Sequence, residues 1–412
     1  MPTICGTDLS PRSAAALEVA CALAAHRGER DVIAVHVIEE EAQGEVARQA
    51  LDAHIATVNR GAVNIRAELV VGTPEDSLLS FAETEGADLI VISASSSGTS
   101  WFRLGTTAEK VIAHTRVPVI VVRDPAPWLA FARREKPLRL LLGIDDSVAC
   151  DIGIQWTHAL RQRGDVEVIL GAVYYPDDAA EHYGLDHGTA VDRHLEVEKL
   201  IMRDLVRKFG NSDKVDPRAI RGLGRIGDHV IELAKEAQVD AILVGTHQRT
   251  GLGRLGSVSG VIIHDAPQSV VCVPPNATIS TLAVPRLTSA LVATDLSTFA
   301  NRAVPFAFAL TDEGGEVHIA HVVDNDAEID EADVKRQLLA LAPTGMARQV
   351  SAYILRGEDP AKTIAQAAAR LGADAICIAS HGRSGITRAL VGSVADKLLR
   401  ATRKPVLVLR PA

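Results

Sequence analysis

The sequence predicts an α/β protein made of three tandem, doubly wound, five-stranded parallel-sheet domains, and three observations predict it. An apolar strand that ends in Asp followed by a small polar residue occurs three times, at residues 4–10, 141–147 and 291–297. A second signature, an Asp leading into an apolar run, recurs at 86–92, 239–244 and 372–378. The strand-like runs are continuous Val, Ile and Leu rather than alternating apolar and polar, as a parallel sheet covered by helices on both faces requires. Repetition at this length means three copies of one unit.

Within each copy the elements follow in one order. The first strand gives way to an Ala-rich helical stretch and then to a second strand, at 32–37, 168–173 and 317–322. A short β segment next meets a helix start, as in Val71-Gly72-Thr73-Pro74-Glu75 and Leu355-Arg356-Gly357-Glu358-Asp359-Pro360, where Pro and acidic residues suit a first turn. The middle copy reads Gly224-Arg225-Ile226-Gly227-Asp228 there. The fourth strand runs into a polar Gly/Ser loop and a helix, and a Pro-marked strand closes each copy after Pro118, Pro267 and Pro405. Pro-rich joints at 124–137 and 274–286 divide the chain into domains at 1–124, 138–274 and 287–412. Independent domains joined by Pro-rich linkers are expected.

Composition narrows the function. The chain has 412 residues, 47% hydrophobic and 23% charged, which is ordinary for a globular protein with buried cores. A net charge of −9 and only 3% aromatics leave neither the basic stripe nor the stacking platforms that nucleic acid needs, so no such partner is expected. The cysteines Cys5, Cys21, Cys150, Cys272 and Cys377 are scattered with no CxxC pair, which fits a reducing cytoplasm. A strand beginning at Thr3, with no apolar run long enough to span a bilayer, gives the expectation of neither secretion nor membrane insertion.

In an open parallel sheet, ligands bind beyond the carboxyl ends of the strands at the switch point of strand order. That directs attention to the loop after the fourth strand, which in the third copy runs from Ala379 through Gly382 and Arg383 to Gly392-Ser393. Small residues let backbone N–H groups approach phosphate oxygens, a helix N-terminus adds partial positive charge, and the Ser393 hydroxyl and the Arg383 and Arg388 guanidiniums add donors.

The whole chain resembles three universal stress protein domains in series. ATP-binding members of that family carry G-x2-G-x9-G-[ST] after the fourth strand, and here Gly382, nine intervening residues and Gly392-Ser393 reproduce its specific part. Ala379 stands where the first glycine would be. The resemblance implies a Rossmann-like fold of the adenine-nucleotide α-hydrolase type. It also implies ATP, with or without Mg, as cofactor, with the adenosine end held by Asp295 and by backbone at Val322. It further implies pairing of final strands between domains; with three copies, one pairing is expected inside the chain and one in a homodimer.

The other copies depart from the pattern. The middle copy keeps Asp145, Gly245, Gly256 and Ser257 but has Gln248 in place of the second glycine and a shorter loop. The first copy reads Ser93-Ala94-Ser95-Ser96 and reaches Gly105-Thr106 through a shortened loop containing Trp101. Both are expected to be structural partners rather than nucleotide sites.

Other patterns carry less. Gly222 to Gly227 and Gly251 to Gly256 both fit G-x-G-x-x-G; the first lies between a strand and a helix, but the strand after it ends in Gly245-Thr246-His247, where a dinucleotide ribose would need a carboxylate. Glu181, His182, Asp186, His187, Asp192 and His194 gather metal-type ligands at no familiar zinc spacing, so a solvated loop running into a polar helix is expected there. His36 and His321 recur at one strand position and read as satisfied core histidines, while His381 suits either contact with nucleotide or an exposed loop. No GxSxG elbow, Walker A sequence or catalytic triad order is present, and no catalytic residue is assigned. The expected function is a cytoplasmic ATP-binding stress or regulatory protein, at most slow in hydrolysis; the alternative is a nucleotide-free interaction scaffold.

Overall fold

The computed structural model describes residues 2–94, 105–185, 190–210, 212–246, 258–277, 287–343, 348–379 and 393–409. It divides into two compact units, residues 1–174 with 208–283, and residues 175–207 with 284–412.

The first unit is built on one ten-stranded sheet. Its strands are β1 (Thr3–Gly6), β2 (Asp31–Ile38), β3 (Asn64–Val71), β4 (Leu89–Ser93) and β5 (Val119–Val122), then β6 (Leu138–Gly143), β7 (Val166–Tyr174), β8 (Val215–Arg221), β9 (Ala241–Gly245) and β10 (Ser269–Val273). Their order is β3-β2-β1-β4-β5-β10-β9-β6-β7-β8. Each half is parallel and doubly wound, and the halves meet through an antiparallel pairing of β5 with β10. One apolar cluster runs across that seam, taking in Ile90 and Val121 from the first copy and Ile242 and Val270 from the middle one.

The expectation of independent domains joined by Pro-rich linkers is therefore corrected for the first two copies, which share one sheet. Residues of the first joint form a helix, α5 (Ala126–Ala132), rather than an open linker. Prolines at 125 and 127 fall where a helix start tolerates a missing N–H. Trp128 and Phe131, three residues apart, share one face and are 0% and 1% exposed. The helix packs on α1 (Pro11–His26), where the Phe131 and His26 rings lie 4.9 Å apart.

Helix starts follow their residues closely. Ser10 caps α1, accepting from Ser13 N, and Ser147 caps α6 (Val148–Arg161), accepting from Cys150 N. The remaining helices of this unit include α2 (Gly44–Ala56), α3 (Pro74–Thr84), α4 (Thr106–His114), α9 (Ile226–Glu236) and α10 (Val258–Asp265).

The second unit carries the third copy's sheet, ordered β13-β12-β11-β14-β15 and wholly parallel. Its strands are β11 (Leu287–Ala293), β12 (Thr311–Val323), β13 (Gln349–Arg356), β14 (Ala375–Ala379) and β15 (Val406–Leu409). Successive residues of β11 point to opposite faces and both faces are covered. Leu291 and Ala293 join a core with α13 (Pro360–Leu371) and α14 (Ser393–Ala401), while Ala290 and Val292 join one with α11 (Ala303–Leu310) and α12 (Glu331–Ala340). Asp359 caps α13 and Gly372 ends it in the left-handed conformation. Helices α7 (Pro176–Tyr183) and most of α8 (Ala190–Phe209), which in sequence lie inside the middle copy, pack in this unit.

All five cysteines are buried. Among the described residues no helix is long and apolar enough to cross a membrane.

Candidate functional site

Three of the residues singled out in the third copy fall at the same end of adjacent strands. Ala293 pairs with Ala320 on one side and Ile378 on the other, so Asp295, Val322 and Ala379 all lie at the carboxyl edge of β11, β12 and β14. The strand order reverses between β11 and β14, which makes this edge the switch point. Ser393 is exposed at the first position of α14. Gly382, Arg383, Arg388 and Gly392 lie outside the described residues, as do His381, Gly256, Ser257, Gln248 and Trp101.

The turn after β11 is tightly specified. Asp295 Oδ1 accepts from Ser297 N at 2.9 Å, and Thr294 Oγ1 accepts from Leu296 N at 3.0 Å while donating to Asn301 Oδ1 at 2.7 Å. Leu296 is held at φ 66°, a conformation that costs a branched L residue on the order of 1 kcal/mol or more. Such strain persists only where neighbours over-determine it, and here they do: Asn301 Nδ2 donates to Leu296 O at 3.2 Å, and His321 reaches the same turn from β12. Its Nδ1 lies 2.9 Å from Thr294 O; a carbonyl only accepts, so Nδ1 carries the proton.

The first copy repeats the device. Leu9 is at φ 63°, Ser10 N donates to Asp8 Oδ1 at 3.1 Å, and His36 Nδ1 donates to Thr7 O at 2.9 Å. Here Thr7 Oγ1 contacts Ser13 Oγ and the buried His54 Nε2 instead of an asparagine, and burial holds the His54 imidazole below its ordinary value. Both recurring histidines are thus hydrogen-bonded to the strand-one turn, as satisfied structural residues should be.

The middle copy differs. Asp145 Oδ1 accepts from Ser147 N at 2.9 Å, but Asp146 is not left-handed and Ala172 occupies the register of the histidine. Lys208 Nζ lies 2.5 Å from Asp145 O and 3.1 Å from Asp151, covering the turn with the chain's own cation. A Cβ at Gly245 would meet Ala149 Cβ at 2.8 Å and backbone of Ala149 and Cys150 at 3.2 Å, so close packing of β9 against α6 by itself requires glycine there.

Sequence reasoning missed Leu9, Leu296, Asn301 and Lys208. The first two were signalled by Thr-Asp-Leu-Ser at 7–10 and 294–297 against Ile-Asp-Asp-Ser at 144–147; for Lys208 and Asn301 only the fold brings the partners together. Among the described residues no group of His, Cys, Asp or Glu is arranged to hold a metal. His194 instead pairs with Glu198 at 3.3 Å, and the side chains of Asp186, His187 and Asp192 are not among those described.

A repeated doubly wound α/β unit, with a strained Asp turn at the switch point of its C-terminal copy, defines the class: a tandem α/β protein of Rossmann-like architecture. The universal stress protein family model matches residues 1–123, 138–274 and 288–410, and the chain belongs to that family. A universal stress protein of Mycolicibacterium smegmatis is 26% identical over 299 residues, covering 66% of this chain and 97% of the relative. One from Mycobacterium tuberculosis is 28% identical over 200 residues, 44% of this chain and 64% of the relative's length. A solved universal stress protein in complex with cAMP is 23% identical, covers 31% of this chain and 100% of that one, and has a TM-score of 0.27.

Proposed function

We propose that the chain is a cytoplasmic, ATP-binding stress-response or regulatory protein whose nucleotide is held mainly by the third copy. The observation that carries the reading is the Asp295–Leu296 turn, kept strained at the switch point beside a strand, β14, that leads into the Gly382 to Gly392-Ser393 spacing. The exposed Asp295 carboxylate and the backbone at Val322 suit an adenine edge. Ala379, Gly382, Arg383, Gly392 and Ser393 supply the small residues, amides and cation that a polyphosphate, with or without Mg, requires. With no water-activating base assigned, the protein acts through the state that nucleotide stabilises rather than through turnover.

Calorimetric titration of the full chain with ATP tests this, with about one equivalent expected and loss of the heat in Gly382→Arg. Absence of binding by the wild-type chain would overturn it. Among the described residues β15 stands at the edge of its sheet; as the counterpart of the strands that pair inside the first unit it favours a homodimer, and a strict monomer in light scattering would remove that part.

A nucleotide-free scaffold is the second reading. Lys208 covering Asp145 and the packing demand on Gly245 favour it for the middle copy.

A further inference from the structure

The crossover between the second and third strands is longer in the middle copy than in the others: it spans 175–214, against 39–63 and 324–348. The extra length builds α7 and extends α8, and both lie against the third copy's α13 within the second unit. On the flank of α13, Gln366 Nε2 donates to Glu181 O at 2.9 Å and Lys362 Nζ pairs with Glu181 at 2.9 Å.

At its end the contacts are more specific. A helix leaves its last carbonyls without intrahelical partners and carries partial negative charge there. Arg203 Nη2 donates to Ala369 O at 2.8 Å and Nη1 to Arg370 O, while Arg207 Nη1 donates to Leu371 O at 3.2 Å and to Gly372 O. Two guanidiniums one helical turn apart thus satisfy four consecutive carbonyls. Asp204 orients the first of them, accepting from Arg203 Nε at 3.0 Å, and its other oxygen accepts from Tyr183 OH at 2.9 Å, which ties α7 to α8.

At the equivalent ends of α3 and α9, among the described residues, the last carbonyls accept from backbone N–H groups, as Phe81 O does from Glu85 N and Leu233 O from Ala237 N, and no arginine side chain is seated on them. Under α7 a cavity of about 490 Å3 remains against Lys362, Gln366 and Thr402, so this part of the contact is open rather than a closed core.

We propose that α7 and α8 are a docking arm, reversibly latched by Arg203 and Arg207 onto the carbonyl end of α13, and that the third copy is the arm's partner. The arm acts as one body because Asp204 joins its two helices. It opens by exchanging guanidinium–carbonyl bonds for water, a change within reach of ionic strength.

Hydrogen exchange on the full-length chain tests this. In Arg203→Ala/Arg207→Ala, peptides covering 176–184 and 366–375 should exchange at least about tenfold faster, while strands of the first unit stay unchanged. Unchanged exchange in both segments would overturn the proposal. Should the double variant lose its fold, a second measurement decides: Glu181→Cys with Lys362→Cys in the otherwise wild-type chain should form an intrachain disulfide under mild oxidation, more slowly as salt is raised. No disulfide, or one whose formation ignores salt, would equally overturn it.

Discussion

Val121 of β5 lies directly opposite Val270 of β10 in antiparallel register, so two of the three repeats share one sheet and one apolar core across the join. Arg123, two residues further along the chain, reinforces it. Its backbone N–H donates to Ser269 Oγ at 3.1 Å and its guanidinium to Ile263 O at 2.7 Å. The first two copies should therefore unfold together, in one calorimetric transition. Val121→Asp places an unpaired carboxylate at a fully buried position and should lower that transition by several kcal/mol. Separate transitions for the two copies would contradict a common core.

The α5 helix makes a second, independent expectation. Trp128 is completely buried against α1, and Trp128→Ala should cost about 3–5 kcal/mol, read as a fall in the denaturant midpoint at unchanged slope. A change below about 1 kcal/mol would mean that α5 is a passive joint.

Gly245 separates packing from binding. Gly245→Ala should destabilise the first unit by about 1–3 kcal/mol, because its Cβ would press on Ala149 and the Cys150 backbone, and should leave the ATP stoichiometry alone. A lost equivalent of nucleotide would show that the middle copy binds after all.

The strand-one turns offer a differential test. Asp295→Ala removes the acceptor for Ser297 N and the proposed adenine contact, so ATP affinity should fall about tenfold or more. Asp145→Ala, in the turn covered by Lys208, should leave ATP affinity unchanged. Equal effects of the two would remove the third copy's special role.

Acid should weaken the fold through two buried imidazoles. Burial holds His54 and His318 below their ordinary value of 6.5, so between the folded and unfolded values the unfolded chain binds more protons. Stability from this source is complete above about pH 6.5 and is lost as pH falls below it, by at most about 1.4 kcal/mol per pH unit for each histidine. For His54 the nearby Asp8 opposes the shift and His36 adds to it; for His318, Glu316 opposes and Arg207 adds. Denaturant midpoints between pH 7 and 5 should show the fall, and His54→Gln should make it shallower.

How much of this was legible in the sequence depended on the range of the physics involved. Continuous Val/Ile/Leu strands, Asp359-Pro360 at a helix start and the threefold Asp turn are local signals, and the parallel order within each copy followed from them. The β5 to β10 pairing was foreseen as one pairing inside the chain, but four apolar residues at an edge do not say which edge they will meet. Pro125 and Pro127 read as a joint because prolines end helices as well as begin them, and only the spacing of Trp128 and Phe131 hinted at α5. Arg203 and Arg207 look like the solvated face of a polar helix until the end of α13 is placed beneath them. At the candidate site the Asp turns were visible and the left-handed leucines were not, since leucine carries no propensity for that conformation.

The five interior cysteines give the protein a built-in clock. Burial pushes Cys21 and Cys272 up to about 12 and Cys150 and Cys377 to about 11, and raises Cys5 as well, so at neutral pH fewer than about one thiol in a thousand is ionised. An alkylating reagent or a peroxide can then consume a sulfur only when the surrounding strand or helix lifts open. Oxidants would strike damaged molecules and spare intact ones, and the pace of labelling at each sulfur would time the breathing of the element that shelters it.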